Sequence, residues 1–143
     1  MNREESLHSG LCRWLRMQYR DVIFNSDMSG VRLHRGLQAK VSRLRSSRAM
    51  PDITIYEMKH GFGGLLLELK AEGTRILLKS GSMTANAHIR EQADILKALQ
   101  QRGYLANFAV GIDEAMAVIT WYLRGEIGTA YPGVNYLNEY YGI

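Results

Sequence analysis

Residues 65–70, Leu-Leu-Leu-Glu-Leu-Lys, constrain the fold of this chain more than any other segment. Three consecutive leucines after the glycines of His-Gly-Phe-Gly-Gly read as a buried strand that follows a tight hairpin turn. Side chains two apart on a strand share a face, so Leu65, Leu67 and Leu69 point one way and Glu68 and Lys70 the other. Taken alone, such a strand is half solvated, leucine inward and charge outward. The run before the hairpin, Asp-Ile-Thr-Ile-Tyr-Glu-Met, alternates Ile53 and Ile55 in strand fashion and starts at Pro51, which cannot donate to a ladder and belongs at a strand start. Folding the two runs together brings Asp52 beside Glu68. Two carboxylates at that distance repel unless a divalent cation sits between them. A site of hard oxygen ligands that keeps several waters suits Mg²⁺, with Mn²⁺ able to substitute. Lys70 beside such an ion can orient an attacking water, help deprotonate it and offset charge on a phosphate.

The rest of the chain predicts one α/β domain. Leu7, Leu11, Trp14 and Leu15 recur at helical spacing from Arg3 to about Tyr19, with Glu4 and Glu5 in the favourable first turn. Val22–Phe24 reads as a short strand, and residues 25–30 as its turn-rich end. Residues 71–84 read as a loop, with Lys-Ser-Gly-Ser-Met-Thr as a mobile portion. Ile89, Ala93, Leu96 and Leu99 mark a helix over 86–102, ended by Gly103 as a left-handed cap. Tyr-Leu-Ala-Asn-Phe-Ala-Val-Gly is a further strand, and Asp113 is placed to cap a last helix that stops near Gly125. The order is helix, three strands, helix, strand, helix. It implies antiparallel hairpin strands, then a crossover that lays the last strand parallel to a neighbour. Residues 125–143 form a Tyr- and Gly-rich tail without a period. Its Tyr131, Tyr136, Tyr140 and Tyr141 fit either a dimer surface or a tail packed on the core.

Composition narrows the classes of function. The chain has one cysteine, Cys12, so neither an internal disulfide nor a CxxC zinc site is available to it. No apolar run approaches the length of a membrane span, and the expectation is a soluble, cytoplasmic protein. The net charge of +4 is uneven: residues 31–50 hold six basic residues and no acidic one. Arg32, Arg35, Lys40, Arg43, Arg45 and Arg48 lie among Ser, Gly, Gln and His, which is either a solvated basic loop or a surface for nucleic-acid phosphates. Gln92 lies three residues from Ile89 and four from Leu96, on the sheet-facing side of its helix. His88, one turn earlier, has no second histidine at ligand spacing.

Pro51-Asp52 followed by Glu68-Leu69-Lys70 resembles the signature of the PD-(D/E)XK nucleases. With Glu4 before Leu7, Gln92, Gly103 and the Asp-Glu-Ala start of the last helix, the chain resembles their VRR-NUC branch from about residue 4 to residue 124. That branch includes small stand-alone phage-type nucleases similar to Holliday junction resolvases. The resemblance implies a single restriction-endonuclease-like domain, an αβββαβ core with a mixed sheet flanked by helices, plus a C-terminal helix and the tail. It implies Asp52 and Glu68 as metal ligands with the Leu69 carbonyl as a further one, and Lys70 as the water-positioning residue. Gln92 would reach the site from its helix and Glu4, or failing that Glu5, from the first helix. The activity implied is Mg²⁺-dependent endonucleolytic cleavage of DNA, on branched substrates by a homodimer. The competing reading is a DNA-binding or interaction module on a nuclease fold that has lost turnover. The sequence departs from the branch in its long 71–86 loop and in Asn25–Gly30, where relatives carry a Pro-Asn-Gly-Gly-like turn.

Overall fold

The computed structural model describes residues 2–27 and 33–137. Helix α1 (Arg3–Gln18) starts at Asn2, whose side chain accepts from the Glu5 N–H while the Glu5 carboxylate accepts from the Asn2 N–H. This reciprocal capping box satisfies two end donors of the helix. Strand β1 (Phe24–Ser26) leads to helix α2 (Arg35–Arg43), strands β2 (Ile53–Ile55) and β3 (Leu65–Lys70), helix α3 (Ala87–Gln100), strand β4 (Leu105–Val110) and helix α4 (Ile112–Arg124). The sheet order is β1-β2-β3-β4, antiparallel across the first two pairs and parallel between β3 and β4. The expected mixed sheet is present, and the element order is the expected one with helix α2 added between the first two strands.

Helices cover both faces of the sheet. Leu65, Leu67 and Leu69 of β3 pack with Leu11 and Leu15 of α1 and with Ala115, Val118, Ile119 and Tyr122 of α4. On the opposite face Leu66 joins Ala106 and Phe108 of β4 under Ile89, Ala93 and Leu96 of α3. All six residues of β3 are buried, as the leucine run implies, and the half-solvated alternative does not hold: α3, delivered by the β3–β4 crossover, closes the face that carries Glu68 and Lys70. Each fully buried leucine contributes about 2 kcal/mol of transfer free energy, which is what holds two charged side chains inside a covered sheet.

Four local expectations change. β1 lies two residues later than its apolar pattern suggests, because Asn25 and Ser26 pair with Thr54 and Ile53 of β2. The tight turn between β2 and β3 is His60-Gly61 alone, with φ of 53° and 83°, closed by reciprocal Lys59–Phe62 hydrogen bonds. Residues 76–84 form an irregular hairpin with a Leu77–Met83 bridge, seated by the buried Ile76. Asp113 is not the cap of α4. The cap is Gly111 at φ 83°, and the Glu114 carboxylate accepts from the Val110 N–H instead.

The tail as far as Leu137 packs on the core. Asn107, fully buried on β4, donates to the Tyr131 hydroxyl and the Val134 carbonyl and accepts from the Phe108 N–H. Tyr136 stands edge-on to Phe108 and donates to Glu114 at 2.6 Å. Burial, and then Glu114, hold the Tyr136 phenol above its usual pKa, so a neutral donor meets the carboxylate. Tyr140 and Tyr141 lie outside the described residues. Among the described residues no helix is long and apolar enough to cross a membrane.

Candidate active site

The β2–β3 register carries the chemistry. Ile53 pairs with Leu67, and one step further along the same ladder Asp52 lies across from Glu68. Asp52 Oδ2 accepts from the Leu69 N–H at 2.8 Å, which ties its carboxylate to β3, and the Asp52 carbonyl accepts from the Asp27 N–H. The Glu68 side chain points to the α3 face, where Gln92 donates to its Oε1 at 2.8 Å. Gln92 is 95% buried in that position, on the helix side its spacing indicates.

Asp52, Glu68, Leu69, Lys70, Gln92 and Glu4 line one cleft of about 200 Å³. The choice between the two N-terminal glutamates follows from local structure. The Glu5 carboxylate is engaged in the capping box, whereas Glu4 is not part of it, and its charge acts on Glu68. The cleft also takes in Glu5, His8, Arg48 and His88. His8 is the residue that sequence reasoning passed over; its signal was a spacing of one helical turn from Glu4. A hydrogen bond to Cys12 raises its pKa against the opposing effect of burial, with the Asp52 charge adding to the rise.

The electrostatics of the cleft are unbalanced. Burial first, and then the charge of Asp52 and a hydrogen bond with it, push the Glu68 carboxyl well above the usual carboxylate range, while Lys70 pulls it back only in part. Such a carboxylate pair gains most from a cation. Gln92 Oε1 is enclosed without a protein hydrogen-bond partner, a second oxygen that a hard cation or a water would satisfy. Among the described residues no three His, Cys, Asp or Glu side chains make a complete ligand set. The two carboxylates and the Leu69 carbonyl are hard oxygen donors, a set of the kind that a hydrated divalent cation such as Mg²⁺ takes.

The six basic candidates separate. Arg35, Lys40 and Arg43 are exposed on α2, which buries none of its residues. Arg45 is largely buried and paired with Asp27 at 3.3 Å, bracing the segment that leads to Pro51-Asp52. Arg48 is exposed at the cleft and makes a two-pronged pair with Glu91 of α3 at 2.8 and 3.1 Å. Arg32 lies outside the described residues.

A solved structure described as a VRR_NUC domain protein superimposes on this chain with a TM-score of 0.59, covering 89% of this chain and 93% of that one at 21% sequence identity. The fold is that of a VRR_NUC domain. No protein-family model matches the sequence, and no curated protein matches it. In this VRR_NUC-type fold the candidate residues stand just before β2, near the end of β3, on the first turn of α1 and on the second turn of α3.

Proposed function

We propose that the protein is a metal-dependent endonuclease that hydrolyses DNA phosphodiester bonds. The observation that carries this reading is the convergence of Asp52, Glu68, Lys70, Gln92 and Glu4 on one cleft. Asp52 and Glu68 with the Leu69 carbonyl would hold a divalent cation, Mg²⁺ with Mn²⁺ as substitute, which would supply the positive charge that a phosphodiester needs as it becomes pentavalent. Lys70 orients the attacking water, helps to take its proton and offsets the charge growing on the phosphate. The new bond joins the water oxygen to phosphorus, the bond from phosphorus to one deoxyribose oxygen breaks, and that oxygen leaves as a hydroxyl with a proton taken from solvent. Gln92 fixes the Glu68 carboxylate, and Glu4 adds negative charge to the same cleft. Arg35, Lys40, Arg43 and Arg48 grip backbone phosphates without reading sequence. Arg45, spent on Asp27, keeps that surface in place.

The finer reading is cleavage of branched DNA by a homodimer, whose two-fold axis presents two clefts to a four-way junction. Supercoiled plasmid and a synthetic four-way junction, each incubated with Mg²⁺, test the whole. The wild type is expected to cut, and Lys70→Ala or Asp52→Asn to lose at least about a hundredfold in rate. Lys70→Ala should still bind DNA. Binding without cutting by the wild type, in Mg²⁺ and in Mn²⁺, would instead make the chain a DNA-binding module on a nuclease fold. Preference for the junction together with a dimer mass by light scattering supports the finer reading, and equal cutting of linear duplex by a monomer removes it.

A further inference from the structure

We propose that His88 is a positioning residue for the cation site, acting through the carboxamide of Gln92; this rests on the metal-dependent reading above. Three observations lead to it. The Gln92 amide nitrogen lies 2.8 Å from Glu68 Oε1 and 3.2 Å from His88 Nε2. The other end of the same carboxamide, Oε1, is enclosed and has no protein partner. His88 itself is exposed at the N-terminal turn of α3, on the rim of the cleft.

A carboxamide has one donor end and one acceptor end of nearly equal size, so packing alone does not fix which way it faces. Glu68 selects the donor end, but a single hydrogen bond leaves the group free to swing. His88 supplies a second acceptor to the same NH₂ group. Its Nε2 therefore carries the lone pair and its Nδ1 the proton. With Glu68 ionised, the form that holds a cation, turning the amide over would set its oxygen against two acceptors and abandon both bonds. With the amide locked, the Glu68 carboxylate is held in one orientation opposite Asp52, and the unpartnered Gln92 oxygen stays where a cation or its water can use it. The arrangement is a hydrogen-bond chain from a surface histidine to a buried ligand, of the kind that tunes affinity at metal sites.

The test is calorimetric titration of Mn²⁺ into wild type, His88→Ala, His88→Leu and His88→Gln, together with side-chain amide signals of Gln92 in the metal-free proteins. His88→Gln keeps an acceptor at the position of Nε2, whereas His88→Leu keeps bulk without one. His88→Ala and His88→Leu should weaken Mn²⁺ binding about tenfold. Both should speed exchange of the Gln92 NH₂ protons, and His88→Gln should restore both properties. Because residue 88 is exposed, the variants are expected to keep the wild-type circular dichroism spectrum; should alanine disturb the helix, the Leu-against-Gln pair decides alone. If wild type binds Mn²⁺ and the Ala and Leu variants bind it equally well, the role of His88 falls while the cation site stands. If wild type takes up no Mn²⁺, the metal-dependent reading falls and the inference with it.

Discussion

Glu68 shows what one residue contributes and costs. It is buried on the α3 face of a central strand, opposite a second carboxylate, and is pushed toward its neutral form by burial and by Asp52. Without a cation, that arrangement works against folding, because a group that ionises freely in the unfolded chain must be held against its preference inside. Glu68→Gln removes both the buried ionisable group and its repulsion of Asp52 while keeping an oxygen for the Gln92 amide. The metal-free variant is expected to be more stable than wild type by about 1 to 2 kcal/mol and to be inactive. Urea denaturation in the presence of a chelator measures the first part, and an unchanged or lower midpoint would show that Glu68 carries no strain. Its partner residues were legible to different degrees. Asp52 and Lys70 follow from strand alternation and a hairpin. Glu4 and Glu5 both lie in the first turn of α1 and both line the cleft, and only Glu5 is engaged in the capping box, a difference that their spacing does not show.

Among the elements, α2 is the one whose role does not come from packing. It buries no residue, carries Arg35, Lys40 and Arg43 on exposed positions and has no acidic residue in its first turn to balance them. Its stability is local: His34 caps it by accepting from the Leu37 N–H. An element of this kind is the natural place for sequence-independent phosphate contacts, where each neutralised charge shows in the salt dependence of binding. Replacing Arg35, Lys40 and Arg43 together by Ala should lower the slope of log K against log salt by about 2 to 3 on duplex DNA and leave the melting temperature of the protein unchanged. An unchanged slope would mean that α2 is only a solvated basic surface. Arg45 behaves differently. Its pairing with Asp27, through the junction of β1 with the strand start at Asp52, is invisible in a basic run read one residue at a time.

For the whole molecule, the tail acts as the closing strap. β4 ends the sheet, and the segment from Tyr131 to Leu137 is fastened to it by Asn107 on one face and by Phe108 on the other. Glu114 adds the third fastening, accepting from Val110, Val134 and Tyr136. Asn107→Ala deletes three hydrogen bonds at a fully buried position and leaves the Phe108 N–H without its partner. It should cost about 2 to 3 kcal/mol in urea denaturation. The tail should also become more open to proteolysis, while Mn²⁺ binding at the opposite end of the crossover is retained. A loss below about 0.5 kcal/mol would mean that the strap contributes little to folding.

The sequence by itself determined β2, β3, β4, helices α1, α3 and α4 and the pairing of Asp52 with Glu68, because each rests on local periodicity or on a hairpin that joins neighbours in the chain. The tertiary structure alone decided what covers the Glu68 face. That the charged side of β3 is sealed by α3 follows from a crossover between segments some twenty residues apart, and with it come the Gln92 contacts to Glu68 and His88 and the raised pKa of Glu68. The placement of Asn107, a polar residue in an otherwise apolar strand, likewise makes sense only against a tail that returns from residues 131–137 to meet it. Alternation says which side a residue points to, but burial and charge depend on what arrives there from elsewhere in the chain.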